Sequence, residues 1–301
     1  MSGHTKPGGP SAPKPLLVLV TGITGQQGGH VAHRLLQRGH RVRALVRDPK
    51  SPKLESFRSK GVELVQGSFD DAASIERAAK GVDAMFLMGT PFAGGAEAEA
   101  RQGKTAVDAA KKAGVPWLVY SSVGDADRKT GIPHFESKFA VEEHLRHSGV
   151  PYAISAPTSF MENMLAPRSL TALEQGKTAS GVSPDRPVQS VALDDLAAFV
   201  VLLLENPSKF KGKRINVASD VFTQAEATRI LSDVLGRKLE YQQIPIAALR
   251  GMSADYAKMF EWFEKDGYTA DIEGLRRQYP EVGWHRFREW AAQQNWSPPK
   301  A

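Results

Sequence analysis

A histidine and a lysine lie four residues apart in the segment HFESK, residues 134–138. This spacing places both side chains on one face of a helix. A histidine can transfer a proton near neutral pH, and a lysine can hold a ligand through its ammonium group. The pair therefore indicates acid–base chemistry, a cofactor clamp that does no chemistry, or an ordinary exposed start of a helix.

Three glycines at GxxGxxG spacing, Gly22, Gly25 and Gly28, lie between a predicted strand and an amphipathic helix. Such glycines permit a tight turn, a close approach of the backbone to a pyrophosphate, and close packing of the helix on the strand. The N-terminus of the helix then faces the phosphates. A glycine triplet alone is weak evidence, but one that follows the first strand of a β/α series is typical of a dinucleotide site.

The end of the second predicted strand indicates which dinucleotide is bound. Arg47 comes first in ALVRDP, where an NAD-selective protein usually places an acid, and a guanidinium suits a 2′-phosphate. Asp48 follows directly and keeps NAD(H) open, whereas Lys50 and Lys53 add positive charge. We predict NADP(H) in preference to NAD(H), with a solvated basic loop as the alternative.

The third predicted strand ends in QGSFDD. At this place Ser68, Phe69 and Asp70 are expected to flank the adenine ring. A competing interpretation is that Asp70 or Asp71 caps the following helix, and one residue can serve both purposes.

A helix–glycine–strand pattern recurs through the first half of the chain and must position these residues. Each helical segment ends in basic residues and a glycine, at Gly39, Gly61, Gly81, Gly114 and Gly149, and a short β-rich run follows. Glycine takes the left-handed conformation that ends a helix. The pattern predicts βαβ units and a parallel sheet with strands near 16–21, 41–46, 62–66, 83–88, 116–121 and 151–155.

The second half of the chain is less regular. We predict a helix over DDLAAFVVLLLENP with Asp194 or Asp195 as its cap, followed by a strand at 213–218 that rejoins the sheet. A second helix, capped by Thr223 and closed by Gly236, is predicted next, and a strand near 239–243 follows it. The fold class is therefore a Rossmann-type doubly wound parallel sheet over 16–157. A smaller, partly interleaved C-terminal α/β substrate region over 158–301 accompanies it, and 1–15 is expected to be a disordered tail.

Composition excludes several classes of protein. The 301 residues contain no cysteine, so thiolate chemistry and cysteine metal sites are excluded, and a reducing cytoplasm is the expected compartment. The net charge is +6, but no basic patch interleaved with aromatic residues indicates nucleic acid. The longest apolar run, 196–204, is too short to span a membrane. The pairs His30/His33 and His144/His147 lack a third ligand, so we expect no metal.

The stretches VTGITGQQGG, LVRDP, SSV, HFESK, PTSFMENML and DDLA, in this order, resemble the NmrA-like family of atypical short-chain dehydrogenases/reductases. The resemblance runs from about residue 16 to the last helix. Its members include NADP(H)-sensing regulators, NAD(P)H-dependent quinone reductases and reductases of secondary metabolites. It implies an NAD(P)H-dependent oxidoreductase that acts on a quinone or related electron-poor carbonyl or enone. A catalytically silent NADP(H)-sensing regulator with a protein partner is the alternative.

The resemblance also implies roles for individual residues. Those that wrap the pyrophosphate are Gly22, Ile23, Thr24, Gly25, Gln26 and Gln27. Those beside the rest of the cofactor and the substrate mouth are Gly89, Thr90, Pro91, Arg101, Lys138, Thr158, Phe160, Met161 and Asn163. The apolar residues Phe92, Met164 and the stripe 252–263 suit a small aromatic or quinone-like substrate, and a homodimer is left open.

His134 stands where ordinary short-chain dehydrogenases have a catalytic tyrosine, and Ser121 or Ser122 follows the fifth strand as their serine does. A nearby lysine ammonium disfavours a charged imidazole, so we expect a neutral His134 that contributes to the site without being an essential acid. Lys138 is expected to hold the nicotinamide ribose. Replacement of His134 by alanine should then lower turnover by less than about tenfold, against about 10²–10⁴ for a true general acid.

Overall fold

A computed structural model of the chain describes residues 14–91 and 94–297. Its strands are β1 (Leu17–Thr21), β2 (Arg41–Val46), β3 (Glu63–Gln66), β4 (Ala84–Met88), β5 (Leu118–Ser121), β6 (Tyr152–Pro157), β7 (Ser159–Phe160), β8 (Lys177–Ser180), β9 (Val188–Val191), β10 (Arg214–Val217), β11 (Asp220–Phe222) and β12 (Glu240–Gln243).

The helices are α1 (Gln26–Gln37), α2 (Glu55–Arg58), α3 (Ala72–Ala79), α4 (Gly95–Lys112), α5 (Pro133–Ser148), α6 (Pro167–Glu174), α7 (Leu193–Glu205), α8 (Pro207–Phe210), α9 (Gln224–Leu235), α10 (Ile246–Met252), α11 (Ala254–Lys265), α12 (Ile272–Gln278) and α13 (Phe287–Ala292). None of the helices in the described ranges has the length and apolar character needed to cross a membrane.

Seven strands form a parallel sheet in the order β10-β6-β5-β4-β1-β2-β3. The predicted Rossmann-type sheet is confirmed, and each of its six predicted first-half strands is present within two residues of the expected bounds. The strand predicted at 213–218 is β10, which pairs with β6 and forms the edge of the sheet. The strand order reverses at β1, which has β2 on one side and β4 on the other, so a ligand crevice is expected where β1 and β4 end.

Apolar side chains cover both faces of this sheet. On one face α1 and α7 bury Leu35, Leu196 and Phe199, among others, against the sheet. On the opposite face α3, α4 and α5 bury residues that include Val107 and Val141. Burial on both faces explains why the strands read as continuous apolar runs instead of alternating ones.

The five glycines that were predicted to end helices all have positive φ, between 72° and 85°. The cap prediction for α9 is also confirmed: the Thr223 side chain accepts from the amide of Glu226, and Gly236 closes the helix with φ 64°. Both signals are local in sequence, which is why they could be recognised before the structure.

The predicted cap of α7 is wrong. The helix begins at Leu193, so Asp194 and Asp195 lie inside its first turn, and the Leu193 amide donates to Glu162 Oε1 at 3.0 Å. Glu162 therefore supplies from a distant segment the acceptor that a local cap would provide. Asp195 is buried and accepts from Ser219 Oγ at 2.5 Å and from the His285 amide at 2.8 Å, so it fastens the C-terminal segment to the fold.

Candidate functional site

The glycine loop lies at the crevice between β1 and β4. Gly22 has φ 70°, and a Cβ on Gly28 would lie 2.3 Å from the Gly22 carbonyl oxygen and 2.8 Å from that of Thr21. Gly28 is therefore required for α1 to pack against β1. Gly25 is exposed and begins α1 without a side-chain cap, and no acidic residue lies in the first turn. An uncapped, exposed helix N-terminus of this kind suits the anionic phosphates of a dinucleotide.

The residues of the loop divide into two groups. Thr24, Gly25 and Gln26 are exposed. Ile23 is buried in the core, and the buried Gln27 donates to Ser121 Oγ at 2.6 Å, which ties α1 to the end of β5. The side chains of Ile23 and Gln27 therefore stabilise the loop, and only their backbone groups remain to face a pyrophosphate.

A hydroxyl group holds the two edges of the crevice together. Thr21 Oγ1 accepts from the Met88 amide at 2.9 Å and donates to the Met88 carbonyl at 3.1 Å. The end of β1 is thereby fixed to the end of β4, where Gly89, Thr90 and Pro91 follow. Gly89 and Pro91 are half-buried and Thr90 is exposed.

Arg47 is exposed at the end of β2, and its side chain makes no hydrogen bond or ion pair with the residues that the structure describes. The neighbouring Asp48 carboxylate accepts from the Lys50 amide at 2.9 Å and so shapes a turn. Both charges are exposed, and Arg47 is the one of the two whose side chain makes no contact with the described residues. A guanidinium at this place suits a 2′-phosphate.

Replacement of Arg47 by alanine is expected to weaken NADP(H) binding by about 1.5–3 kcal/mol, the usual contribution of a charged hydrogen bond, and to leave NAD(H) binding nearly unchanged. Calorimetric titration with both cofactors measures the difference. Arg41→Ala is the matched control, because Arg41 lies at the opposite end of the same strand and pairs with Glu63 at the surface. Equal losses for the two cofactors would show that Arg47 does not bind the phosphate.

Ser68, Phe69 and Asp71 lie at the end of β3. The Ser68 amide donates to Ser74 Oγ at 3.1 Å, and Phe69 is half-buried against the core. Asp71 Oδ1 accepts from the Ser74 amide at 3.1 Å, which confirms Asp71 as the cap of α3. Ser68 and Phe69 are thus positioned by the start of that helix.

Asp70 and Arg101 are neighbours at the surface. The Asp70 carboxylate accepts from Gln102 Nε2 at 3.0 Å and lies 3.9 Å from Arg101 Nη2. Arg101 is 66% exposed, so this ion pair is weak and leaves the guanidinium free to turn toward a ligand.

Lys138 lies in a buried ion pair beside the crevice. Its Nζ donates to Glu99 Oε1 at 2.7 Å and to the Gly89 carbonyl at 3.3 Å, while Ser137 Oγ donates to Glu99 Oε2 at 2.5 Å. The Glu99 side chain is fully buried. Sequence reasoning missed Glu99, although a signal was present: it is in helical register with the buried Gly103 of α4 and the apolar residues that follow it.

His134 is paired with a carboxylate from a distant helix. Its Nδ1 contacts Asp255 Oδ1 at the start of α11, and both side chains are mostly buried. The sequence argument from a nearby lysine ammonium left out two carboxylates: Glu99 compensates the charge of Lys138, and His134 has its own acidic partner. The prediction that His134 is not an essential acid was made without these partners.

The hydroxyl groups near the end of β5 are already engaged. Ser121 accepts from Gln27, and Ser122 Oγ donates to the buried Glu142, which also accepts from Arg214 Nε at 2.9 Å. Burial, with smaller contributions from the Glu99 and Glu142 carboxylates, raises the pKa of Tyr120 well above its ordinary value. Neither Ser122 nor Tyr120 can take the place of the missing catalytic tyrosine.

The residues of the expected substrate mouth differ in accessibility. Thr158 is buried and donates from its hydroxyl to the Val217 carbonyl at 3.2 Å, and Met161 is buried in a separate core cluster. Phe160 is half-buried and Asn163 is exposed. Phe92 lies outside the described residues. Of these side chains, Phe160 and Asn163 are the ones with surface to offer a ligand.

The aromatic stripe at 252–263 packs over the start of α5. Trp262 and Phe263 of α11 form a buried cluster with Phe135, whose ring centroid is 5.6 Å from that of Trp262. Helix α11 therefore packs over the start of the helix that carries His134 and Lys138.

The two histidine pairs do not form a metal centre. His144 Nε2 lies 2.7 Å from Asp108 Oδ1, and His30 Nε2 lies 3.8 Å from Asp194 Oδ1. Within 14–91 and 94–297, no group of three or more histidine, aspartate or glutamate residues could hold a metal ion.

Glu162 is a buried acid in the segment that also carries Phe160 and Asn163. Its Oε1 accepts from the Leu193 amide and from Trp290 Nε1 at 2.9 Å, whereas Oε2 has no partner in the described part of the chain. Burial raises the pKa of Glu162 above its ordinary value. The folded protein therefore binds this proton more tightly than the unfolded chain does, and its contribution to stability is present at acidic pH and is lost as pH rises through the raised pKa.

Glu162→Gln is expected to remove this pH dependence. The free energy of unfolding of the variant minus that of the unmodified protein should increase as pH rises from 4 to 7, because only the unmodified protein loses stability over this range. Urea unfolding at each pH measures it. A difference that stays constant across this range would show that Glu162 does not ionise differently in the two states.

The sequence profile of the NmrA-like family matches residues 15–291. A (4-alkanoyl-5-oxo-2,5-dihydrofuran-3-yl)methyl phosphate reductase of Streptomyces griseus is 34% identical over 289 residues, which cover 92% of this chain and 97% of the relative.

Several solved structures share the fold. The NADPH-dependent quinone oxidoreductase QOR2 of Escherichia coli, complexed with NADPH, has 25% identity and a TM-score of 0.78 over 92% of this chain and 99% of its own. The triphenylmethane reductase of Citrobacter sp. with NADP(H) has 22% identity and a TM-score of 0.78 over 93% and 99%. The negative transcriptional regulator NmrA has 21% identity and a TM-score of 0.79 over 94% and 99%. The last two likenesses show the fold alone.

Proposed function

Because the chain belongs to the NmrA-like family, we propose that it is an NADPH-dependent oxidoreductase that reduces a quinone or a related electron-poor carbonyl or enone. The protein would act in the cytoplasm on a small molecule, without nucleic acid or membrane. The preference for NADP(H) over NAD(H) is supported by the exposed Arg47 at the end of β2.

One observation supports the proposal above all others: the ion pair between Lys138 and Glu99 lies at the end of β4, beside the crevice that the glycine loop borders. The Lys138 ammonium also contacts the Gly89 carbonyl at 3.3 Å, so its place relative to this end of the sheet is fixed. A fully buried carboxylate is costly to retain unless it serves a purpose, and here it holds a cation beside a dinucleotide crevice.

The described residues fit a nicotinamide dinucleotide, and bound NADPH would supply the hydride. The exposed N-terminus of α1 would bind the pyrophosphate, and Arg47 would bind the 2′-phosphate. Lys138 would hold the ribose next to the nicotinamide and orient the ring, which is the main requirement for hydride transfer. Helix α11, which packs over the start of α5, would exclude water from the acceptor side.

The class of acceptor is inferred from the relatives. The name of the Streptomyces griseus reductase describes a ring alkene conjugated with a lactone carbonyl and an acyl group, which is an electron-poor alkene. The Escherichia coli protein is named as a quinone oxidoreductase. An electron-poor alkene takes the hydride at carbon and a quinone takes it at oxygen, and in each case the anion that results takes a proton, so one site chemistry serves both.

The test is NADPH oxidation with three acceptors: an acyl butenolide, a naphthoquinone and a cationic triphenylmethane dye. NADPH that carries deuterium at both C4 positions should deliver deuterium to carbon in the reduced butenolide and the reduced dye. With the naphthoquinone the same label should slow NADPH oxidation, because a hydrogen on a hydroquinone oxygen exchanges with water and leaves no label. NADPH should also support faster reduction than NADH. Deuterium in the butenolide, or an isotope effect with the naphthoquinone, supports the proposal. If neither is seen across these and related compounds, the protein is not this reductase.

The alternative function is a sensor that binds NADP(H) without turnover and acts through a protein partner. Such a protein should bind the cofactor tightly, transfer no deuterium, and change its assembly with the NADPH/NADP ratio. Sedimentation velocity at both extremes of the ratio measures the last property. The ion pair that fixes the Lys138 ammonium supports the reductase, since an oriented nicotinamide is a requirement of hydride transfer and not of simple binding.

A further inference from the structure

We propose that Asp255 is a positioning residue that prepares His134 to donate a proton to the reduced acceptor. This inference rests on the proposed function and assigns two residues to its second half-reaction. Asp255 lies in α11, 121 residues from His134 in the chain, and their contact is made between Asp255 Oδ1 and His134 Nδ1.

The contact determines which ring nitrogen is available. An ionised carboxylate only accepts hydrogen bonds, so the hydrogen must lie on His134 Nδ1. His134 Nε2 has no hydrogen-bond partner in the described part of the chain. The nitrogen that remains for chemistry is therefore Nε2, as in other carboxylate–histidine pairs where the carboxylate fixes the tautomer.

The position of Asp255 is fixed by helix packing and not by the ion pair alone. Ser253 caps α11 by accepting from the Tyr256 amide, which sets where the helix begins. Farther along, Trp262 and Phe263 pack with Phe135, the residue that follows His134. The aromatic cluster thus joins the two helices independently of the ion pair, and the cap sets where α11 begins, so the carboxylate is presented in a defined place.

His134 and Lys138 of the HFESK segment each have their own acidic partner. The Lys138 ammonium lies 2.7 Å from the fully buried Glu99, so Asp255 does not need to compensate it. The side chains of His134 and Asp255 are 16% and 28% exposed, which distinguishes them from a solvated surface pair. One helix face therefore carries a cation held by α4 and an imidazole held by α11.

The hydride adds to the electron-poor alkene carbon of a butenolide, and the π electron pair moves to the carbonyl oxygen to give an enolate. With a quinone the hydride adds to one carbonyl oxygen, and the displaced π electron pairs move through the ring to the other oxygen to give a hydroquinone anion. The Nε2–H bond of the protonated His134 breaks and its proton passes to that anion. His134 is left neutral, still donating from Nδ1 to Asp255, and solvent returns the proton.

A competing role for Asp255 is purely structural: the pair would only fasten α11 to α5. The two roles differ in how they depend on the acceptor. A quinone or butenolide needs a proton after the hydride, whereas a cationic triphenylmethane dye becomes neutral on receiving the hydride alone. Loss of a proton donor should therefore slow the reduction of the quinone or butenolide only. Loss of a structural contact should slow the reduction of the dye as well.

The experiment compares Asp255→Asn and His134→Ala with the unmodified protein in single-turnover NADPH oxidation. With the butenolide or naphthoquinone we expect a loss of about 10²-fold or more for His134→Ala and at least about tenfold for Asp255→Asn. With the dye, and for the dissociation constant of NADPH, both variants should stay within about threefold. Lys265→Ala, an exposed position at the other end of the same helix, is the control and should change neither rate.

A second readout uses the proton-requiring acceptor alone and so does not depend on the dye. In both variants the solvent isotope effect should rise and the effect of deuterated NADPH should fall, because proton transfer becomes slower than hydride transfer. Equal losses with both kinds of acceptor, or unchanged isotope effects, would overturn the assignment while the reductase stands. Absence of deuterium transfer by the unmodified protein would instead overturn the proposed function, and this inference with it.

Discussion

Lys138→Met is expected to lower the free energy of unfolding by about 3–5 kcal/mol, because it leaves a buried carboxylate without its counter-ion. Glu99 has no exposed surface, and its oxygen atoms accept from Lys138 Nζ at 2.7 Å and Ser137 Oγ at 2.5 Å. After the substitution only the serine remains as a side-chain donor. The effect should appear in the free protein, without any cofactor, in urea unfolding at neutral pH.

A second substitution separates stability from function. Glu99→Gln removes the orphaned charge, so the double variant Lys138→Met/Glu99→Gln should recover most of the lost stability, as replacement of whole buried ion pairs by neutral groups often does. Glu99→Gln alone should again be destabilised, since it leaves an ammonium that is 13% exposed without its carboxylate. The four proteins form a double-mutant cycle whose coupling free energy measures the pair. Additive losses would show that the two charges do not interact.

The restored double variant then tests the cofactor clamp without the complication of unfolding. We expect it to bind NADPH more weakly and to transfer hydride slowly, because the nicotinamide ribose is no longer oriented. Single-turnover NADPH oxidation at saturating cofactor isolates the orientation effect from the affinity. A stable double variant with normal binding and normal hydride transfer would show that Lys138 serves only the fold.

The fold could be predicted from sequence because its signals are local. The glycines that end helices, such as Gly114 and Gly149, and the capping box at Thr223 and Glu226 each operate within a few residues. The order of short apolar runs and helices then requires a parallel sheet. The glycine loop was recognised for the same reason, since its three glycines act within a single turn.

The partners of the site residues could not be predicted in this way. Asp255 reaches His134 across 121 residues, Glu99 reaches Lys138 across 39, and Glu162 reaches the Leu193 amide across 31. No spacing rule of helices or strands covers such separations, because they are set by how whole elements pack. The premise of the argument about His134 was incomplete for this reason: the spacing of His134 and Lys138 is local, whereas the pairing of Lys138 with Glu99 depends on how α4 packs on α5.

Gly25→Val is expected to abolish NADPH binding while the protein remains folded. The backbone at Gly25 is extended, with φ −92° and ψ 171°, a conformation that a β-branched residue adopts readily. An added Cβ would meet only the Gly22 carbonyl oxygen, at 3.3 Å, which a shift of a few tenths of an ångström relieves. The branched side chain would, however, occupy the exposed space in front of the α1 N-terminus, where the pyrophosphate must approach the backbone. We expect affinity to fall more than about a hundredfold, or about 2.7 kcal/mol, in calorimetric titration.

Gly28→Ala provides the contrast, because it places a methyl group where the structure has backbone. Its Cβ would lie 2.3 Å from the Gly22 carbonyl oxygen, so α1 would have to move away from β1 and the protein should lose stability even without cofactor. The two glycines are three residues apart, yet one variant should fail in binding with a normal urea unfolding curve and the other in folding itself. If the folded Gly25→Val protein binds NADPH normally, the phosphates lie elsewhere and the glycine loop serves only to pack the helix on the sheet.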